Sequence, residues 1–234
     1  MFKKQTQKFG NAVRRIRGDM STPLRRILGY LDMLFVDHGF IRVIYSNTHQ
    51  VSPRMYRSAQ LTPYQIRRAA KRGIKTILNL RGQRDCGSYL LQKETCARLG
   101  ITTIDFPISS RDAPRKTDLR KLKEIFARIE YPALMHCKSG ADRAGLGAAL
   151  FLALAENRPL DEATAQLHWK YGHLRQAKTG ILDHFFATYR QRNAAQPIDI
   201  LLWAETEYDP EAMKKDFHTK RWASVLIDRI LKRE

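Results

Sequence analysis

The sequence predicts an α/β fold. Its centre is a mostly parallel sheet flanked by helices on both faces, and basic helical extensions lie at the N- and C-terminal ends. Three observations predict it. Short β-rich apolar runs alternate with longer stretches of helical periodicity from Ile41 to Arg192. Glycine and proline punctuate the joins between them. Basic residues crowd both ends of the 234-residue chain, which has no internal repeat. The boundaries read as a basic amphipathic extension over 1–40, a main domain over 41–193 and a basic helical extension over 194–234.

The first extension carries Lys3, Lys4, Lys8, Arg14, Arg15 and Arg17 against a single acid, Asp19. Thr22-Pro23 reads as an N-cap followed by proline at the first helical position. Leu24, Ile27, Leu28, Leu31, Leu34 and Phe35 then recur at helical spacing. That stripe has two readings: it packs on the domain, or it lies on an anionic membrane.

In the main domain, Ile41–Tyr45 and Met55–Ser58 read as short strands. Thr62-Pro63 opens a helix that Gly73 stops. Ile74–Leu80 is a β-rich run ending at Arg81-Gly82. Tyr89–Leu99 reads as a helix and Ile101–Ile108 as a strand. Thr117 caps a helix with the apolar stripe Leu119, Leu122, Ile125, Phe126 and Ile129. Pro132–His136 is a further apolar strand. Gly145–Ala155, Glu162–Tyr171 and Gly180–Arg192 read as helices. The last extension predicts a helix over Pro210–Lys232, with Lys214, Lys215, Lys220 and Arg221 around Phe217 and Trp222.

Bulk composition excludes several classes. Hydrophobic residues make up 43% and charged residues 28%, which is a folded composition rather than a disordered one. The net charge of +19 attracts polyanions: nucleic acid, an anionic membrane face or a phosphorylated substrate. Cys86, Cys96 and Cys137 are odd in number and form no CxxC pair. A disulfide framework and a structural zinc site are therefore not expected, and a reducing compartment fits. The first twenty residues contain no apolar run of the secretory kind. The uncharged run Gly145–Ala155 is too short to span a bilayer. Together these features predict a cytoplasmic protein, at most peripheral on the inner face of the membrane.

The chemistry is concentrated in His136-Cys137-Lys138-Ser139-Gly140-Ala141-Asp142-Arg143. A strand end, a glycine-containing loop and a helix start follow one another. Backbone N–H groups of such a loop converge on an anion, and the helix dipole adds positive potential. A cysteine there is favoured as thiolate, with a pKa of about 3.5–7.5 in comparable settings. Arg143 returns to the same bowl, and its planar fork suits two phosphoryl oxygens. A thiolate in an anion cradle with an arginine clamp is built for attack on phosphorus.

The segment resembles the HCxxGxxR signature of cysteine-based protein tyrosine phosphatases, above all their dual-specificity branch. The resemblance covers roughly Arg42 to Arg192. It implies a phospho-cysteine intermediate, with no metal and no organic cofactor. Members of the family take the proton for the leaving alcohol from an upstream aspartate. Asp112, just past the Ile101–Ile108 strand, matches that place; Asp105 is its rival but falls within the strand. Asp142 gives the loop the form HCxxGxDR, similar to a subset of lipid-directed and bacterial phosphatases in which the loop aspartate assists. Most members follow the loop arginine with Ser or Thr, whose hydroxyl helps the thiolate leave. This chain has Ala144, which predicts slow hydrolysis of the intermediate.

Lys138 implies a multiply charged substrate, by similarity to members acting on inositol phospholipids. Ser139, Gly140 and Ala141 complete the loop that would bind the phosphoryl group. Arg57 and Arg81 each end a strand at the ligand-binding edge and are expected to border the pocket. His173, Arg175 and Lys178 are expected at its rim. His136 precedes the nucleophile on a strand, so its side chain points to the other face and orients the loop. The expected partner is an anionic phosphorylated substrate, either a lipid head group or a phosphoprotein. An anionic membrane surface is a second expected partner. Nucleic acid fits less well, because no aromatic-rich basic stripe of a recognisable RNA module is present; an RNA 5′-phosphatase is the reading of another class.

Overall fold

The computed structural model describes Met20 and residues 22–219. The basic run Lys3–Arg17 lies outside the described residues, as does the end of the Pro210–Lys232 helix, which is helical over 210–219. In chain order the elements are α1 (Pro23–Leu31), a π-helical turn (Asp32–Val36), α2 (Gly39–Ile44), β1 (His49–Gln50), β2 (Met55–Ala59), α3 (Pro63–Lys71), β3 (Thr76–Asn79) and α4 (Gly87–Arg98). There follow β4 (Thr102–Asp105), α5 (Lys116–Arg128), β5 (Ala133–Cys137), α6 (Asp142–Ala155), α7 (Leu160–Thr164), α8 (Ile181–Ala195) and α9 (Ile200–Thr206). Two 3₁₀ turns, Trp169–Tyr171 and Lys178–Gly180, lie between α7 and α8.

The chain divides into two units. The first runs to Ile108 and resumes over Ile129–Ala148; the second takes Ser109–Arg128 and the chain from Ala149 onward. All five strands belong to the first. Their order is β1-β2-β5-β3-β4, with only the β1–β2 pair antiparallel. β5 is thus inserted between two strands that precede it, and the crevice at such an insertion is where α/β sheets bind ligands. Register pairs Ala59 with Cys137 and Asn79 with His136, so the strand ends meet at one edge.

Strand alternation splits the sheet's side chains between two faces. Ile77 and Leu134 pack with Leu61, Ile66, Ala69 and Cys96 into an apolar cluster under α3 and α4. On the other face Met135 and Leu80 meet Gly147 of α6, where an added Cβ would lie 2.9 Å from each. The sheet is therefore covered on both sides, as its apolar strands require. α3 begins as its sequence indicates: Thr62 and Gln65 form a reciprocal capping box.

The N-terminal stripe packs in part on this unit. Met20, Met33 and Leu91 form a small buried cluster with Leu34 and Leu90. Gly87 approaches Gly29 so closely that a Cβ on it would lie 2.0 Å from the Gly29 carbonyl oxygen. The Asp32 carboxylate accepts the Gly87 N–H and so caps α4.

The second unit has an aromatic core. Phe185 packs edge-to-face against Phe186 and Tyr208 and tilted against Trp203, with centroids 5.1, 5.2 and 5.5 Å apart. The Tyr208 hydroxyl donates to the Pro114 carbonyl at 2.9 Å.

Two expected elements differ. Ile41–Tyr45, read as a strand, lies mostly within helix α2. Its β-branched residues are overruled locally, because Arg42 turns back to donate to the Asp37 carboxylate at 2.9 Å and the Asp37 carbonyl at 3.1 Å. Glu162–Tyr171 is not one helix: α7 stops at Thr164, His168 is extended, and its ring accepts the Lys170 N–H to start a 3₁₀ turn. The edge strand β1 and helix α9, capped by Asp199, have no counterpart in the sequence reading.

Candidate active site

Cys137 ends the central strand, is 2% exposed, and opens the loop that α6 closes. Every carbonyl of that loop is held from behind. The Gln60 N–H donates to Lys138 O at 3.4 Å, and the Asn47 side-chain amide donates to Ser139 O at 2.9 Å. One terminal nitrogen of Arg57 donates to both Gly140 O and Ala141 O, at 2.8 and 2.9 Å. A trans peptide carries its N–H opposite its C=O. Pinning these four carbonyls therefore aims the N–H groups of Ser139, Gly140, Ala141 and Asp142 the other way, forming an anion-binding concavity.

Gly140 is required by this geometry. Its φ is 75°, and a Cβ there would lie 2.6 Å from the Ala59 nitrogen. Asn47 also has a left-handed φ, 47°, and is held by Tyr45 and His49 through its carbonyl oxygen at 3.1 and 2.9 Å. His136 is fully buried behind the loop, with Nδ1 3.4 Å from the Cys137 carbonyl, which assigns the Nδ1–H tautomer as donor. Burial lowers its pKa to about 3, against that hydrogen bond and aided by the charges of Arg81, Arg42 and Arg143. The imidazole is neutral at physiological pH, in keeping with an orienting part.

Arg57 and Arg81 do not border an open pocket. Arg57 is fully buried and braces the loop. Arg81 is 7% exposed and forms a two-nitrogen pair with Asp37 at 2.9 and 3.0 Å, with Gln60 as a further partner. A strand end facing a buried carboxylate supplies a brace, and the sequence around Arg81 did not reveal that carboxylate. Burial pushes the Asp37 carboxyl up, but the Arg81 hydrogen bond and the charges of Arg81 and Arg42, with the Ser88 hydroxyl, hold it well below the usual carboxylate range. Lys138 in the loop lies 3.4 Å from the same carboxylate and is partly exposed.

Arg143 is half-buried at the start of α6. Burial lowers its pKa, the Cys137 sulfur opposes this, and the charges of Arg81 and Arg84 lower it further. Arg84 is exposed and was missed from sequence, because nothing in Gly82-Gln83-Arg84-Asp85 marks it. Asp142 is half-buried in the first helical turn. Ala144 is fully buried.

Other expected residues have definite partners. Asp105 accepts from Asn79 at 2.7 Å and from Tyr89 at 2.6 Å, so both its oxygens serve the first unit's structure. In the second unit Asp112 pairs with Lys214 at 2.7 Å and accepts from Ser109 at 3.1 Å. The Lys214 hydrogen bond, against slight burial, holds the Asp112 pKa below its ordinary value. His173 and Arg175, expected at a rim, both hold Asp183, at 2.7 and 3.1 Å. All three cysteines are free; burial pushes the Cys86 thiol up and Cys96 to about 11.

A family described as DSP-PTPase phosphatase fused to NAD+ kinase matches residues 42–178, more than half of the chain. The chain belongs to this family. It is a cysteine-dependent phosphatase of the dual-specificity type. Among solved structures this phosphatase is similar to Pseudomonas aeruginosa TpbA, with 18% identity over 69% of this chain and 92% of that one, at a TM-score of 0.49. It is similar also to a Neisseria meningitidis protein solved as a candidate phosphatase: 29% identity, 57% and 94% coverage, TM-score 0.44. A third is PTPMT1: 15% identity, 64% and 99% coverage, TM-score 0.47. No curated protein matches the chain.

Proposed function

We propose that this phosphatase works through a phospho-cysteine on Cys137, and that its substrate is a polyanionic head group presented at a membrane surface. The observation that carries the reading is the loop whose four carbonyls are pinned from behind. It leaves N–H donors of Ser139, Gly140, Ala141 and Asp142, with the Arg143 guanidinium, for the oxygens of a transferring phosphoryl group.

The Cys137 thiolate attacks phosphorus. An S–P bond forms as the P–O bond to the leaving alcohol breaks, and that oxygen takes a proton from a carboxylic acid. Asp112 is the proposed donor and Asp142 its rival. Water, losing a proton to the carboxylate left by the first step, then attacks phosphorus; the S–P bond breaks, and phosphate leaves with the thiolate and the acid restored. Residues 41–193 carry this chemistry; 1–40 and 194–234 serve it as basic extensions.

Substrate polarity follows from charge. Lys138 stands partly exposed in the loop, and the exposed Arg84 acts electrostatically on Arg143. Such a cationic surround favours a substrate with more than one negative group. Among the described residues no helix is long and apolar enough to cross a membrane, so the membrane is proposed as a surface that this chain meets.

The test is phosphate release, with EDTA and reductant present, from phosphoinositides, lipid-linked sugar phosphates, a phosphotyrosine peptide and RNA 5′-triphosphate. The phosphorylated lipids should turn over fastest. Faster release from the phosphotyrosine peptide or the RNA would overturn the substrate assignment.

A further inference from the structure

Among the described residues, most of the large hydrophobic side chains exposed to solvent lie between Leu24 and Tyr45. Leu24 and Ile27 stand out from α1 and Phe35 from the π turn. Phe40, Ile41 and Ile44 stand out from α2, with Ile44 89% exposed. A run of consecutive elements showing this much apolar surface marks an interaction site.

The inner side of the same segment is firmly anchored. Met20 and Met33 pack on Leu91, Asp32 caps α4, and Asp37 holds Arg81 and Arg42. Its apolar side is thus held outward by a well-packed inner side.

Charge decides what covers it. The only carboxylates between Leu24 and Tyr45 are Asp32 and Asp37, both turned inward at 0% and 9% exposure. The exposed side therefore carries no acid. The chain leading into it holds Lys3, Lys4, Lys8, Arg14, Arg15 and Arg17. A second copy of a chain of net charge +19 would be repelled. An apolar, partly aromatic surface with a basic approach fits the interface of an anionic bilayer.

We infer that the outer faces of α1, the π turn and α2 are the docking surface for an anionic lipid bilayer. This deepens the proposed function and rests on its membrane-borne substrate. It also gives the N-terminal segment a route to the site. Asp37, on the docking segment, pairs with Arg81 and lies 3.4 Å from Lys138 of the cysteine loop. The bilayer face and the loop therefore share one buried ionic node.

The experiment is co-sedimentation of the full chain with phosphatidylcholine vesicles, with and without phosphatidylglycerol. Hydrolysis of soluble p-nitrophenyl phosphate is followed beside it. Wild type should sediment with the anionic vesicles only. Ile44→Glu and Phe35→Glu should each lower that binding at least tenfold and leave soluble turnover unchanged, which also shows that they fold. Cys137→Ser should bind vesicles as wild type does while turning over nothing. Soluble turnover that survives in Cys137→Ser would sink the catalytic reading and leave docking intact. Three results would overturn the docking inference: no binding of wild type, binding unchanged in both glutamate variants, or a stable dimer that Ile44→Glu converts to monomer.

Discussion

Arg57 reaches the carbonyl of Gly140 at 2.8 Å from a position 83 residues earlier in the chain. The same nitrogen holds Ala141, so one buried guanidinium fixes half of the loop's carbonyls. Arg57→Met should leave both carbonyls unpaired in the interior, at about 1–3 kcal/mol each. A loop displaced by an ångström should lose roughly a hundredfold in kcat. Denaturant unfolding and steady-state kinetics check the two effects. Full activity in Arg57→Met would remove the brace from the account.

Gly140→Ala tests the loop's backbone. A left-handed residue with a side chain costs about 1–2 kcal/mol, before the contact with the Ala59 nitrogen is relieved. The expected outcome is a lower Tm and loss of phosphate binding, measured by calorimetry with inorganic phosphate.

His136 makes a prediction about acid stability. Its folded pKa of about 3 lies below the ordinary value of 6.5. Between those values the unfolded chain binds the extra proton. Its contribution is therefore fully present above pH 6.5 and is lost as pH falls from 6.5 toward 3. The folding constant should fall roughly tenfold per pH unit in that window. His136→Gln should flatten the slope there. Asp37, held low, adds a loss confined to pH below about 4.

The proton donor is decided by the alkaline limb of kcat/KM, which reports formation of the phospho-cysteine, since a general acid acts while protonated. Asp112→Asn should lower kcat/KM by about 10²–10⁴ and abolish that limb. Lys214→Met removes the partner that depresses the Asp112 pKa, so the limb should move to higher pH. If Asp142→Asn abolishes the limb instead, the loop aspartate is the acid.

How much of this was legible in the sequence depends on distance along the chain. The cysteine loop is one local run, so its strand, glycine and arginine could be read directly. The sheet's alternation was equally local, and four of its five strands were recognised. Asn47 and Arg57 could not be read as loop braces, because they meet the loop across 92 and 83 residues of chain. Arg81 was seen, but its partner Asp37 lies 44 residues away in an extension with no recognised relation to the site. α2 was misread because its apolar β-branched pattern is overruled by that same aspartate.

The most direct test is acid quench of the enzyme with a phosphomonoester, followed by mass spectrometry, in EDTA. Because Ala144 offers no hydroxyl to aid the second step, a phosphoryl group should accumulate on Cys137 in a burst approaching one per chain. Ala144→Ser should shrink it, and Cys137→Ser should abolish both label and turnover. Phosphate release with no label on Cys137 at any time, or surviving in Cys137→Ser, would contradict the account.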